Sequence, residues 1–174
     1  VWRKLPYTYA LMIIGTLALT GFPLLSGFYS KDAIIEFAYL SGTKTGYYAA
    51  GIGIFTAFLT SIYSWRLMFR TFHGQYNNKK LNIEETHESP LVMLIPLIIL
   101  SLGAIFAGFI FKNLFIGYEG INNFWNKSIF FLEPLSTDHP PLWFLVLTPT
   151  LVTLSIHVSY THLRAHETIQ HLVC

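Results

Sequence analysis

The chain has 174 residues, of which 53% are hydrophobic and only 11% are charged. Soluble domains carry about 25% charged residues, so this chain has too few charges to cover a water-facing surface. The net charge of +2, without a basic stripe, excludes a nucleic-acid partner. A single cysteine and the lack of paired Cys and His exclude a disulfide framework, an iron–sulfur cluster and a zinc finger. We therefore expect an all-α transmembrane protein that contacts the lipid bilayer and holds no cofactor or metal in this chain.

The start of the chain does not look like a natural terminus. Val1 is not an initiator methionine, and no secretory signal pattern follows it. We therefore expect an internal fragment of a longer protein.

The first apolar stretch, residues 7–40, has a helical pattern that is interrupted in the middle. Gly21, Pro23 and Gly27 fall within seven residues, and such a break frees backbone groups that lipid cannot satisfy. We interpret the stretch as one discontinuous helix, an architecture that forms ion or substrate sites in transporters. The alternative is two helices joined by a surface loop, and spacing alone does not decide between the two.

Lys31 and Asp32 follow this interruption. In a discontinuous crossing Lys31 would lie near the middle of the membrane, where lost hydration favours its neutral form. The positive end of the second half-helix would act in the same sense, and Asp32 would oppose it. Lys31 is therefore a candidate for binding and releasing a proton near neutral pH. In the alternative fold both side chains would lie among lipid headgroups.

Three further apolar runs follow. Residues 47–69 and 91–111 are long enough to cross a core of about 30 Å, whereas residues 142–156 are too short and are interpreted as a truncated span. We expect the hydroxyl groups of Thr60, Ser61 and Ser64 to form hydrogen bonds between helices.

The end of the chain changes character abruptly. Val158–Thr168 reads as the translation of a transposase sequencing adapter, and the adapter's second constant region translates to Leu172–Cys174. We predict that residues 158–174 are a non-native tail, although His157 does not match the adapter's preceding codon. The competing interpretation is a metal site at His162 and His166, spaced i and i+4, for which a third ligand is missing.

Several specific motifs are spread over residues 1–156: Arg3–Met12, Gly15–Leu24, Ser26–Ile34, Thr60–Arg66, Phe72–Gly74, His87–Pro90 and Asp138–Trp143. Together they resemble the antiporter-like subunit family of respiratory complex I, NADH:quinone oxidoreductase, which includes subunit L of the bacterial enzyme and mitochondrial NADH dehydrogenase subunit 5. The resemblance implies a helix-bundle fragment of a proton-translocating subunit. In this family the broken helix carries a lysine of the proton route, and Lys31 matches that position, with Asp32 adjacent.

The resemblance also implies partners and a location. Other membrane subunits of complex I would surround this one in a bacterial plasma membrane or the mitochondrial inner membrane, and NADH and quinone would bind only to partner subunits. This chain would then belong to a translocase without carrying a catalytic redox site. Two alternatives stay open: a subunit of a multisubunit cation/proton antiporter, and a structural membrane component in which Lys31 is an anchor.

The positions of the cations predict the orientation. One end of the bundle holds Arg3, Lys4, Arg70, Lys79 and Lys80, and the other holds Lys44, Lys112 and Lys127. We expect the richer end to face the cytoplasm.

Overall fold

The computed structural model describes residues 1–74, 86–115, 124, 128 and 140–172, and for residues 162–172 it describes the backbone alone. Within these residues the chain forms five helices of 15 residues or more and no strand, so the predicted all-α class is confirmed.

Helices α1 (Pro6–Thr20) and α2 (Ser26–Leu40) have 15 residues each. A helix of that length extends about 22 Å, which is less than the hydrocarbon thickness of about 30 Å. Pro6 begins α1, where its fixed φ suits the first turn and its missing amide costs no hydrogen bond. Neither helix can cross a bilayer alone.

Helix α3 (Lys44–Phe72) has 29 residues, or about 43 Å. The Thr43 hydroxyl caps it by accepting a 3.0 Å hydrogen bond from the Gly46 amide. Arg70 in its last turn suits the negative end of the helix dipole. These end contacts explain why α3 extends three residues beyond the predicted run 47–69 at each end.

Both short helices pack along α3, which runs antiparallel to them. The rings of Tyr9 in α1 and Phe72 in α3 are 5.0 Å apart, whereas Ile35 of α2 clusters with Ala50 near the opposite end of α3. Helices α1 and α2 thus follow one another along the same neighbour, an arrangement that favours the predicted discontinuous crossing over two helices joined by a surface loop.

Helix α4 (Leu91–Phe115) packs against α1 and α2, and helix α5 (Leu142–Leu172) packs mainly against α3. Each contains an internal proline, Pro96 and Pro149, which membrane helices tolerate. Three segments are long and apolar enough to cross a membrane: Lys44–Phe72, Leu91–Phe115 and Leu142–Thr161. The protein is therefore a multi-pass membrane protein.

Helix α5 continues through the predicted junction between His157 and Val158. Beyond that junction the Ser159 hydroxyl donates a 3.2 Å hydrogen bond to the Ile62 carbonyl of α3. A helical backbone does not report the origin of its residues, so the non-native tail at 158–174 stays a prediction.

Candidate functional site

The interruption between α1 and α2 begins with a Schellman helix end. Gly21 has a φ of 78°, and the amides of Gly21 and Phe22 donate to the carbonyls of Ala18 and Leu17 at 3.2 and 3.0 Å. An L side chain would be strained at this φ, which explains the glycine. The motif satisfies two of the last four carbonyls of α1, and the carbonyl of Leu19 is not one of them.

A tight turn follows at residues 22–25. The Leu25 amide donates to the Phe22 carbonyl at 3.3 Å, Pro23 occupies the second position and Leu24 has a φ of 76° at the third. Proline at the second position and positive φ at the third are features of a type II turn, which normally has Gly or Asn at the third. Among the described residues Leu24 is the one non-glycine with positive φ, so the interruption stores backbone strain.

Glycines also bring three helices together at the interruption. A Cβ on Gly27 of α2 would lie 1.8 Å from the Ala18 carbonyl oxygen, and a Cβ on Gly108 of α4 would lie 2.5 Å from the Cα of Ser26. These distances are shorter than any real Cβ contact. The backbones of α1, α2 and α4 therefore meet at this point only because both positions lack a side chain.

Lys31 lies in the second turn of α2 and is half-buried. Its Nζ donates a short hydrogen bond of 2.5 Å to the Leu19 carbonyl of α1, and its stem passes 3.5 Å from the position of a Cβ on Gly21. The ammonium therefore sits at the negative end of the α1 dipole, which favours its charged form. The negative end of α1 therefore acts on the ammonium in addition to the positive end of α2 and Asp32, which the sequence indicated. The contact arises because helical side chains point toward the helix N-terminus, which carries the long Lys31 side chain back across the interruption.

Asp32 follows Lys31 and is half-buried, as is Glu36. The two carboxylates are four residues apart and so occupy one face of α2. The predicted site residues Gly21, Gly27 and Lys31 thus come together at the interruption, with Asp32 beside Lys31 in the chain.

A polar contact at the other end of α1 was not predicted from the sequence. Glu88, just before α4, accepts hydrogen bonds from the Tyr7 amide at 2.8 Å, the Thr8 amide at 3.4 Å and the Thr8 hydroxyl at 2.8 Å. Partial desolvation acts to raise the pKa of Glu88, but these hydrogen bonds hold that pKa below its ordinary value. The only signal in the sequence was the motif His87–Pro90, which marks the family without indicating a contact.

The hydroxyl groups on α3 have three different environments. Ser61 is buried and hydrogen-bonds to Ser155 of α5, which confirms its predicted role between helices. Thr60 instead donates to the Thr56 carbonyl of its own helix at 2.7 Å, so the prediction was wrong for this residue. Ser64 is buried without a hydrogen-bond partner in the described part of the chain.

A cavity of about 520 Å³ lies between α1, α3 and α4. Its lining extends from Thr8, which contacts Glu88, to Leu19, which contacts Lys31, and it is mainly apolar apart from hydroxyls such as those of Thr16, Ser64 and Ser101.

The described residues include no group of three or more His, Cys, Asp or Glu side chains that could hold a metal ion. The side chains of His162 and His166 lie outside the described residues, so the alternative metal site is not addressed by the structure.

Two family models match successive parts of the chain. Residues 1–60 match the transmembrane model of the NADH:quinone oxidoreductase/Mrp antiporter family, and residues 63–124 match the model of the NADH dehydrogenase subunit 5 C-terminus. The chain is 48% identical over 128 residues to NADH-ubiquinone oxidoreductase chain 5 of Marchantia polymorpha and 46% identical over 140 residues to that of Chondrus crispus. The chain belongs to the NADH dehydrogenase subunit 5 family.

The matched part is a limited portion of the subunit 5 relatives. The alignment with the Marchantia protein covers 74% of this chain and 19% of that relative, and the alignment with the Chondrus protein covers 78% and 21%. The NADH:quinone oxidoreductase/Mrp antiporter model covers residues 1–60 and so includes both half-helices and Lys31. The subunit 5 C-terminus model covers residues 63–124 and so includes Glu88 and α4.

Proposed function

We propose that this segment forms part of the proton path of an antiporter-like membrane subunit of NADH:quinone oxidoreductase, complex I. Lys31 is the protonatable residue of the broken helix, and Asp32 is its charged neighbour. The observation that carries the proposal is the position of the Lys31 ammonium, which reaches across a membrane helix interruption to the Leu19 carbonyl. Intramembrane ionisable groups are costly and are rarely kept without a function.

In this proposal the contact between Lys31 and Leu19 depends on the protonation state of Lys31. As an ammonium, Lys31 donates to the Leu19 carbonyl and is favoured by the α1 dipole. When the ammonium gives its proton to a water molecule or another acceptor, the neutral amine loses this charge–dipole attraction and its bond to Leu19 weakens. Proton release is thereby coupled to the contact between the two half-helices.

In this proposal the other components of the enzyme are partner subunits. Other membrane subunits of complex I surround the segment, NADH and quinone bind to partner subunits, and no cofactor binds to this chain. The membrane is a bacterial plasma membrane or the mitochondrial inner membrane.

Substitution of Lys31 tests the proposal. Lys31→Met removes the titratable group and keeps an apolar stem, so proton translocation should be lost with little change in packing. Lys31→Arg should also impair translocation, because a guanidinium with a pKa above about 12 does not release its proton. Proton uptake driven by NADH is measured in membrane vesicles, with assembly of the complex checked separately.

Lys44→Met is the matched control, because Lys44 is exposed at the start of α3. This variant should pump normally. Normal pumping in both Lys31→Met and Lys31→Arg, in a normally assembled complex, would remove Lys31 from the proton route and favour a structural role for this segment.

A subunit of a multisubunit cation/proton antiporter is a second candidate, because the family model over residues 1–60 is shared with Mrp antiporters. The match of residues 63–124 to the subunit 5 C-terminus favours complex I. Proton movement that is driven by a sodium gradient and is independent of NADH oxidation would support the second candidate.

A further inference from the structure

We propose that Glu88 is a positioning residue for the Lys31 site: it holds half-helix α1 in place along its axis and so keeps the Leu19 carbonyl against the Lys31 ammonium. The consequence for transport rests on the proposed function of Lys31, whereas the consequence for geometry does not.

Glu88 contacts the backbone of α1 where that helix lacks a cap. Leu5 occupies the N-cap position and has no side-chain group to accept a hydrogen bond from the first turn. The Glu88 carboxylate, 80 residues along the chain, accepts from both the Tyr7 and Thr8 amides and also from the Thr8 hydroxyl. A negative charge is favourable there because this end of the helix dipole is positive. Glu88 therefore acts as a cap supplied by the segment that precedes α4.

The contacts of α1 with α3 restrain its axial position only weakly. Its apolar residues Ile13 and Leu17 pack against the cluster around Met68 of α3, and such contacts are non-directional. Tyr9 does form a 2.9 Å hydrogen bond with His73, but this bond joins two side chains that can rotate. Glu88 instead accepts hydrogen bonds from two backbone amides of α1. It therefore restrains both the sliding and the rotation of this helix.

A displacement at the first turn of α1 would reach the site at its last turn. The helix runs without a break from Pro6 to Thr20, and its backbone hydrogen bonds make it move as one body. The bond from Lys31 to Leu19 is 2.5 Å long, and hydrogen bonds are weak beyond about 3.5 Å. A displacement of about 1 Å along the direction of this bond is therefore sufficient to break it.

Three variants of the full-length subunit in the assembled complex separate the possible roles. Glu88→Ala removes all three hydrogen bonds. Glu88→Gln keeps them without the charge, because its amide oxygen accepts from the two amides and its NH₂ donates to the Thr8 hydroxyl. Tyr9→Phe is the matched control, since it removes a hydrogen bond at the same end of α1 without releasing the backbone.

Two measurements are made on each variant: the distance from Lys31 Nζ to the Leu19 oxygen, by cryo-electron microscopy of the complex, and the protons translocated per NADH oxidised, in vesicles. In Glu88→Ala the equilibrium constant between α1 in place and α1 displaced should fall about tenfold, the factor expected for the loss of one charge-assisted hydrogen bond. The distance should exceed 3.5 Å and the translocation ratio should fall. Glu88→Gln should retain most of both properties, and Tyr9→Phe should retain both fully.

An unchanged distance in Glu88→Ala would overturn the positioning role. A longer distance with normal translocation would break the link to transport, provided that Lys31→Met abolishes translocation. If Lys31→Met also pumps normally, the proposed function fails while the positioning role stands. Where Glu88→Ala does not assemble, Thr8→Val provides the test. It removes one of the three bonds and should lengthen the distance by less, and no change in that variant would count against the proposal.

Discussion

At the scale of single residues, the interruption uses glycine for two different physical reasons. Gly21 is required by its positive φ, whereas Gly27 is required by the approach of the Ala18 carbonyl. The sequence indicated the interruption because Gly and Pro are strong breakers of helices. It did not indicate Leu24, since a leucine at the third position of a type II turn contradicts the residue preference of that turn. It did not indicate Glu88 either, because an isolated carboxylate before a helix carries no information about a partner 80 residues away.

Gly27→Ala tests the close approach of the half-helices. The added methyl group would lie 1.8 Å from the Ala18 oxygen, so the two backbones must separate, and we expect a loss of about 1–3 kcal/mol in the free energy of unfolding. The measurement is equilibrium unfolding of the full-length subunit in detergent.

Gly103→Ala in α4 is the control for this substitution. A Cβ there meets nothing within 4 Å, and alanine is favoured over glycine in a helix interior by roughly 0.5–1 kcal/mol. Equal effects of the two substitutions would contradict the close approach.

At the scale of helices, hydropathy predicted the apolar runs because lipid accepts only long apolar helices with their backbone groups paired. The ends of α3 were less predictable, since they depend on the Thr43 cap and on polar residues. A hydropathy scale excludes such residues from a membrane span. Which helices pack together was not predictable at all. One polar contact between α3 and α5 joins Ser61 to Ser155, residues that no local pattern connects.

A double-mutant cycle on Ser61→Ala and Ser155→Ala measures that contact. Removing one hydroxyl leaves the other without this partner in an apolar interface, so the two substitutions should be non-additive. Hydrogen bonds between membrane helices average about 0.6 kcal/mol, and we expect a coupling free energy of that order for unfolding in detergent.

The same cycle with Thr60→Ala in place of Ser61→Ala is the control, because the Thr60 hydroxyl bonds within its own helix. That cycle should show additive effects. A coupling near zero for Ser61 and Ser155 would mean that their hydrogen bond contributes nothing to the packing of α3 on α5.

At the scale of the whole molecule, the crossings alternate in direction. The Val1 nitrogen lies 3.4 Å from the Phe72 carbonyl oxygen, which places Arg3, Lys4 and Arg70 at one end of the bundle. The resemblance of the motifs predicted the family, because they are specific and occur in order along the chain. The sequence did not predict what packs around α4. Most of the apolar surface of α4 is exposed in this segment, and the aligned segment covers about a fifth of the relatives' length.

Cysteine labelling of the full-length subunit tests the orientation. The end that holds more Lys and Arg should face the cytoplasm or the mitochondrial matrix. A membrane-impermeant maleimide should therefore label Asn77→Cys, between α3 and α4, from that side, and Thr45→Cys, exposed in the first turn of α3, from the opposite side. Labelling with the sides exchanged would reverse the topology.

The division of one crossing into two half-helices also has a consequence for biosynthesis. A translocon releases segments into lipid one after another, and a charged residue at the centre of a helix costs about 2.5–3.5 kcal/mol in that step. Helix α2 carries Lys31, Asp32 and Glu36 within two turns, and α1 is too short to compensate for them. We therefore expect the crossing to stay at the translocon until α3 emerges and offers the face on which both halves pack. Membrane insertion of this region would then involve three helices together, and a substitution that weakens α3 should appear first as a defect in the integration of the residues that precede it.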